Sequence, residues 1–302
     1  AMTTGTKRLT VELADGRTLA ALVAGPPDGR TLLFHTGTPS GLVEAGQLFD
    51  IATANGFRSV LYARPGYGSS GARHGRLVAD AADDVAAVLD AVGAGRFVTA
   101  GWSGGGPHAL ATVALLGDRC AAAASIAGVA PYEATGLDWF AGMAQENVAE
   151  FGAAANSEDA LTALLAQELT ERPDIAASEV ADALGGLLTA TDRAALTGWF
   201  ADYLAESMRT ALTTGIAGWR DDDLAFVRGW GFSLDQISLP VAVWHGDQDA
   251  MVPFAHGEWL ARHIPGARAH LVPGEGHLTL VSARFDEILQ DLAEMSDQAG
   301  VA

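Results

Sequence analysis

The chain is poor in the residue types that build disulfides, basic surfaces and membrane spans. Its 302 residues contain one cysteine, Cys120, which cannot form an internal disulfide. Eighteen basic residues stand against 37 acidic ones, a formal net charge of −19 that disfavours binding to nucleic acid or an anionic membrane. No run approaches the roughly eighteen apolar residues of a membrane-spanning helix, and the first thirty residues carry no signal-peptide core. We therefore expect a cytoplasmic protein without nucleic-acid or membrane partners.

Signals for metals and nucleotide cofactors are also missing. No cluster of histidine, cysteine or acidic residues has a recognisable metal-ligand spacing, and no glycine-rich dinucleotide fingerprint is present. We expect no cofactor and no metal, a small-molecule substrate, and a monomer or homodimer. Because 49% of the residues are hydrophobic, a chain of this length can bury a large core.

Hydrophobic periodicity predicts alternating strands and helices over much of the chain. Strands are predicted near residues 7–12, 18–23, 31–35, 58–62, 96–101, 120–127, 240–245 and 269–272. Helical spacing recurs between the later ones, as over residues 78–92, and Asp15-Gly16 is typical of a hairpin turn between the first two. This alternation predicts a mostly parallel sheet covered by helices on both faces.

A candidate nucleophile lies between one strand and the next helix. Gly101-Trp102-Ser103-Gly104-Gly105 follows an apolar run and precedes a helix-like run that starts at Pro107. A serine on such a strained turn projects its hydroxyl at the carboxyl edge of the sheet, and the flanking glycines let strand and helix pass closely. An ordinary glycine-rich turn with an incidental serine is the alternative. The strand-turn-helix context favours a nucleophile.

A serine hydroxyl needs a base to take its proton and an acid to orient that base. The strand near 240–245 leads into Gly246-Asp247-Gln248-Asp249, and the next apolar run leads to the glycine-framed His277. By chemistry alone either Asp247 or Asp249 serves as the acid. The order serine, aspartate, histidine is the one expected when the three groups follow successive strand ends.

These segments together resemble the α/β-hydrolase fold superfamily, in its cap-bearing branch. The resemblance implies an eight-stranded, mostly parallel sheet flanked by helices, with a helical cap between strands 6 and 7. The core is then residues 1–130 and 240–302, and the cap 131–239. The family's Gly-x-x-Asp spacing selects Asp249 and leaves Asp247 as a turn residue. Arg64-Pro65-Gly66-Tyr67-Gly68 resembles a family loop for which no catalytic role is inferred.

The resemblance also implies an oxyanion hole. Phe34-His35-Thr36-Gly37-Thr38-Pro39 is similar to the family's His-Gly-x-Pro loop, with Thr36 at a position where histidine is usual. On that basis the backbone N–H groups of Thr38 and Gly104 would hold the oxyanion. An ordinary turn at residues 37–39 is the alternative. Trp102, Gly37, His35 and His108 are expected to line the substrate pocket.

The cap region, residues 131–239, is predicted to be helical throughout, as over residues 160–169, 176–188 and 191–214, and to determine specificity. A scaffold insertion without substrate contact is the alternative. Its triplet Asp221-Asp222-Asp223 is interpreted as a helix N-cap, with binding of a substrate amine as the less favoured role.

The residues thus predict a serine hydrolase that cleaves a small to medium, largely apolar carboxylic ester through an acyl-enzyme. Three alternatives stay open: an aminopeptidase of the proline-iminopeptidase kind, cofactor-free haloperoxidase, perhydrolase or lyase chemistry, and a ligand-binding receptor on the same fold.

Overall fold

A computed structural model describes residues 5–171 and 174–300. The predicted core segments at 1–4 and 301–302, and residues 172–173 of the predicted cap, lie outside this range. In the described part, eight strands form one sheet in the order β1-β2-β4-β3-β5-β6-β7-β8. The strands are β1 Lys7–Glu12, β2 Thr18–Ala24, β3 Arg30–His35, β4 Phe57–Tyr62, β5 Phe97–Trp102, β6 Cys120–Ile126, β7 Val241–Gly246 and β8 Arg268–Val272.

The first two strands form an antiparallel hairpin, β2 pairs antiparallel with β4, and the remaining neighbours are parallel. The α-helices of the described residues are α1 Gly46–Ala54, α2 Ala81–Ala91, α3 Gly105–Leu115, α4 Gln145–Asn156, α5 Glu158–Glu171, α6 Val180–Leu184, α7 Ala190–Ala195, α8 Gly198–Leu212, α9 Ala217–Val227, α10 Phe254–His263, α11 Thr279–Ser282 and α12 Phe285–Ala299. The predicted fold class is confirmed.

Alternate residues of the central strands enter two hydrophobic clusters on opposite faces of the sheet. Leu32 and Phe34 of β3 pack with α1 and α12, whereas Leu33 packs with α2 and α3. The same alternation places Trp244 and Val243 of β7 in different clusters. Burial on both faces explains why these strands read as continuous apolar runs. Cys120 is buried at the start of β6, as the sequence predicts.

All eight predicted strands are present within one or two residues of their expected bounds. The helices between β6 and β7 differ more. The stretch predicted as one helix over 191–214 is two helices, α7 and α8, which meet at Gly198 with φ +54°. Helices α4 and α9 lie within the block that is predicted to be helical, but their bounds were not predicted. The division into core and cap remains a prediction.

No helix in the described part of the chain is both long and apolar enough to cross a membrane. The longest helices, α8 and α12, have 15 residues each. Both place an apolar face on the hydrophobic clusters and a polar face outward, as surface helices of globular proteins do.

Candidate active site

Ser103 lies on the turn between β5 and α3. Its φ of +55° is in the left-handed region, which is costly for a non-glycine residue and persists only where the surroundings hold it. The Ser103 N–H donates to the carbonyl of Ile126 at 2.8 Å, so the neighbouring strand fixes the turn. A Cβ at Gly101 would collide with the carbonyl of Gly105. Glycine at 101 is therefore required for strand and helix to pass at this separation.

Asp249 and His277 meet beyond the carboxyl ends of β7 and β8. His277 Nδ1 donates to Asp249 Oδ2 at 2.7 Å, and both side chains are almost fully buried. The other oxygen, Oδ1, accepts the backbone N–H groups of Met251 and Val252, each at 2.9 Å. The carboxylate is thus fixed in orientation. A proton on Nδ1 leaves the Nε2 lone pair of the neutral imidazole as the basic site.

The second carboxylate of this turn lies elsewhere. Asp247 Oδ1 accepts the N–H of Gly274 at 2.8 Å, and the side chain is exposed. It ties the two loops that follow β7 and β8. The structure therefore brings Asp249, and not Asp247, to the imidazole.

The electrostatic setting of His277 favours its protonated form. Burial alone lowers the pKa of an imidazole, but the charge of Asp249, its hydrogen bond and the charge of Asp192 outweigh that effect. The pKa of His277 is consequently raised above its ordinary value of 6.5. His245, fully buried with its Nε2 3.5 Å from Asp249 Oδ2, has a pKa lowered by burial, so it is neutral and adds no charge.

The loop after β3 lies against the nucleophile turn. A Cβ on Gly37 would be 3.5 Å from Ser103 Cβ, and a Cβ on Gly104 would collide with Thr38 Oγ1. Thr38, Ser103 and Gly104 also line one cavity. Gly104 immediately precedes α3, where backbone N–H groups lack helical partners. The residues predicted to supply the oxyanion hole are therefore neighbours of Ser103.

Arg64 braces that loop, a role that was not predicted from the sequence. Its guanidinium donates to the carbonyls of Thr36 at 2.6 Å and Gly37 at 2.9 Å, and to Thr38 Oγ1 at 3.0 Å. Arg64 also pairs with Asp222, whose Oδ2 lies 2.7 Å away. A buried cation thus holds this loop through three hydrogen bonds.

The interpretation of Asp221-Asp222-Asp223 as a helix N-cap is wrong. The triplet lies in the middle of α9, and all three side chains are buried. Asp222 pairs with Arg64 and with Arg76, at 2.8 Å. Burial raises the pKa of a carboxyl, but these two guanidiniums reverse the effect and lower the pKa of Asp222 far below its ordinary range.

Asp192 was not predicted to have any role. Its carboxylate accepts three consecutive backbone N–H groups, those of His277 and Leu278 at 2.8 Å and of Thr279 at 3.3 Å. Its side chain has no exposed surface. No motif in the sequence marks this aspartate, because its partners are backbone groups 85 to 87 positions away.

The predicted pocket residues separate into two groups. Gly37 and Trp102 line a cavity of about 110 Å³ together with Ser103 and His277. Trp102 also donates from its indole to the His277 carbonyl at 3.1 Å.

The other two predicted pocket residues, His35 and His108, lie behind the site and are absent from the cavities that contain Ser103. His35 Nε2 contacts Thr112 Oγ1 at 3.1 Å, and His108 Nδ1 donates to the Gly104 carbonyl at 2.7 Å. Burial lowers the pKa of both rings, that of His108 to about 3. They are neutral packing residues beneath the nucleophile turn.

A larger cavity of about 550 Å³ extends from Ser103 to the helices between β6 and β7, here called the inserted segment. Its wall is mainly apolar and includes Leu164, Leu184, Leu187, Met208, Leu212, Trp219, Phe226, Met251 and Val252. Four acidic residues also line it, Glu146, Glu150, Glu168 and Asp223. Among the described lining residues there is no lysine, arginine or histidine. Helices α4, α5, α8 and α9 all contribute to this wall.

Comparison with known proteins identifies the family. The α/β hydrolase fold family model matches residues 30–283. The chain is 26% identical over 253 residues to a pimeloyl-[acyl-carrier protein] methyl ester esterase of Nitrosomonas europaea, covering 82% of this chain and 86% of that protein. It is 36% identical over 58 residues to Probable lysophospholipase BODYGUARD 1 of Arabidopsis thaliana, a match that spans 19% of this chain and only 12% of that protein.

Solved structures show the same fold. A bromoperoxidase from Bacillus anthracis superposes with a TM-score of 0.70 at 19% identity, covering 95% of this chain and all of that one. The esterase RhEst1 from Rhodococcus sp. gives a TM-score of 0.64 at 21% identity, covering 97% and 99%. With the family model spanning most of the sequence, the chain belongs to the α/β-hydrolase fold family and is a carboxylesterase-like hydrolase.

Proposed function

We propose that this protein hydrolyses small to medium, neutral, largely apolar carboxylic esters through an acyl-enzyme on Ser103. The observation that carries the proposal is the convergence of a strained serine, a buried aspartate–histidine pair and a mainly apolar cavity at one edge of the sheet. Each of the three serves a different requirement of acyl transfer: a nucleophile, a base held in one tautomer, and a binding site.

In the proposed reaction, His277 Nε2 takes the proton of Ser103 as its oxygen attacks the ester carbonyl. The backbone N–H groups of Thr38 and Gly104 hold the resulting oxyanion, and each such donor is commonly worth about 10² to 10³ in rate. The imidazolium, stabilised by Asp249, returns the proton to the leaving alcohol. Water then attacks the acyl-enzyme by the same steps and releases the carboxylic acid.

The composition of the cavity wall supports this substrate class. Apolar side chains suit an acyl or alcohol chain, and a volume of about 550 Å³ is in the usual range for a small-molecule site. The ionised acids on this wall disfavour a substrate that carries its own carboxylate, because a like charge in a partly desolvated cavity is repelled. Neutral esters are therefore expected to be better substrates than anionic ones.

Two probes test the proposal. A fluorophosphonate should label the purified protein on Ser103, and p-nitrophenyl acetate, butyrate and octanoate should be turned over with a preference set by chain length. The mono-p-nitrophenyl ester of succinic acid matches the butyrate ester in length but adds a carboxylate, and its kcat/KM should be lower by at least about tenfold. Equal rates for this pair would contradict the assigned role of the acidic wall.

Aminoacyl substrates are a second candidate, which one observation favours. Asp223 has no exposed surface and lines the cavity beside Glu150, and burial together with the charges of Glu150 and Asp222 raises the pKa of Asp223. A substrate ammonium group would be attracted to this pair of acids. Faster cleavage of prolyl p-nitroanilide than of acyl esters, lost in Glu150→Gln, would establish this candidate in place of the first.

The proposed base predicts a pH profile. Only the neutral imidazole accepts the Ser103 proton, so kcat/KM should rise with pH and reach a plateau above the pKa of His277. Because that pKa is raised, the midpoint of the acid limb should lie above 6.5. Rates for p-nitrophenyl butyrate between about pH 5 and pH 9 measure it. A midpoint clearly below 6.5 would show that the charges around His277 do not act as described.

A further inference from the structure

Two carboxylates from the segment between β6 and β7 reach the two loops on which the proposed reaction depends. Asp192 belongs to α7 and Asp222 to α9, and neither side chain has any exposed surface. Asp192 binds the backbone of the His277 loop, and Asp222 binds the loop that contains Thr38. The inserted segment therefore contacts both halves of the site by charged groups in addition to forming the cavity wall.

Asp192 holds the backbone of the His277 loop rather than the imidazole side chain. Its two oxygens accept the N–H groups of His277, Leu278 and Thr279, so the peptide planes on both sides of the His277 Cα are held. Helix α7, which contains Asp192, is also bonded to the loop that contains Asp249. Thr189 Oγ1 accepts the N–H of Asp192 at 3.3 Å and donates to the carbonyl of Gln248 at 2.9 Å.

Asp222 holds the loop of residues 36–38, here called the oxyanion loop, by a direct hydrogen bond and through the Arg64 guanidinium. Thr38 Oγ1 donates to Asp222 Oδ2 at 2.7 Å, and Tyr67 donates to the same oxygen at 2.9 Å. Arg64 joins Asp222 to the carbonyls of Thr36 and Gly37. Charge-assisted hydrogen bonds of this kind are short and directional, and they hold a loop in one conformation.

We propose that Asp192 and Asp222 are positioning residues, through which docking of the inserted segment assembles the His277 loop and the oxyanion loop. The inference rests on the proposed function for its catalytic consequence, but its structural content is independent of that function. Catalytic groups displaced by about 1 Å commonly lose about 10² in rate. A turnover defect with nearly unchanged substrate binding is therefore expected when either contact is removed.

Asp192→Asn tests the first contact. An amide keeps the size of the side chain but loses the charge and turns one acceptor into a donor facing backbone N–H groups. Amide exchange at residues 277–279 should become at least about tenfold faster. The kcat should fall about 10- to 100-fold with KM changed less than threefold or so.

A pH readout separates positioning from general destabilisation. The charges facing His277 are those of Asp249 and Asp192, with His245 neutral beside them. Removing the Asp192 charge should move the acid limb of kcat/KM to lower pH.

Asp182→Asn, at an exposed aspartate on α6 of the same segment, is the matched control and should change neither exchange nor the pH profile. If Asp192→Asn does not fold, Thr189→Ala, which loosens α7 but keeps the Asp192 charge, should accelerate exchange at residues 277–279 and lower kcat to a smaller degree.

Thr38→Val tests the second contact, because Asp222→Asn leaves two buried guanidiniums undercompensated and risks unfolding. Valine keeps the shape and the backbone N–H of Thr38 but removes its bonds to Asp222 and Arg64. Exchange at residues 36–38 should accelerate at least about tenfold, exchange at 277–279 should not change, and kcat should fall about tenfold.

Each result decides the inference. Wild-type exchange rates in both loops of folded Asp192→Asn and Thr38→Val would overturn it, even if turnover fell. Full esterase activity in Ser103→Ala would instead overturn the proposed function, while the exchange data would still decide whether the two loops are held as inferred.

Discussion

Replacing Ser103 with alanine is expected to lower kcat for p-nitrophenyl butyrate by a factor of about 10⁴ to 10⁶ and to abolish fluorophosphonate labelling. Alanine removes only the hydroxyl. The hydrogen bond from the backbone N–H of residue 103 to the Ile126 carbonyl is unaffected. The fold should therefore persist, with an unchanged circular dichroism spectrum. Activity then measures the loss of the nucleophile alone.

The control for this substitution is Ser69→Ala, at an exposed serine on a loop away from the cavity. It should retain labelling and turnover within about twofold. Substantial hydrolysis by pure Ser103→Ala would contradict an acyl-enzyme on this residue. Tight binding of a small molecule without turnover by the wild-type protein would point instead to a receptor on the same fold.

Asp249→Asn is expected to lower kcat by about 10⁴ near neutral pH. The asparagine oxygen still accepts the N–H groups of Met251 and Val252, so the turn keeps its shape. Its NH₂ group, however, faces His277 Nδ1 and donates to it. The imidazole proton then resides on Nε2, where it cannot accept the proton of Ser103.

Asp247→Asn is the matched control, since Asp247 is two positions away and accepts hydrogen bonds from Gly274 and Gln248 and not from His277. Its kcat should fall less than about tenfold. Steady-state kinetics of the two variants on one ester panel compare the carboxylates directly. A larger loss in Asp247→Asn than in Asp249→Asn would reverse the assignment of the acid.

Other chemistries of the fold are distinguishable by their reactants. Activity that needs peroxide, or carbon–carbon cleavage without an ester, would replace the proposed function. The similarity to a bromoperoxidase, at 19% identity, concerns the fold and favours neither chemistry. The mainly apolar cavity beside Ser103 is what favours ester binding.

The sequence by itself determined the sheet and the positions of Ser103, Asp249 and His277 along it. Strands buried on both faces appear as apolar runs, and the turns that follow them carry glycine and the reactive side chains, so local patterns predict both. The separation into α7 and α8 before Gly198 and the bounds of α4 and α9 were not predicted, because packing against the core sets where these helices begin and end.

Only the tertiary structure decided which polar residues serve the site and which lie behind it. His35 and His108 are adjacent in sequence to the predicted loops, yet their side chains point into the core beneath them, and the direction of a side chain depends on packing. Asp192 carries no motif, and the role of Asp222 within its triplet was misassigned, because their partners are backbone groups and arginines far along the chain. Contacts of that range arise when the inserted segment packs on the core, which no local pattern encodes.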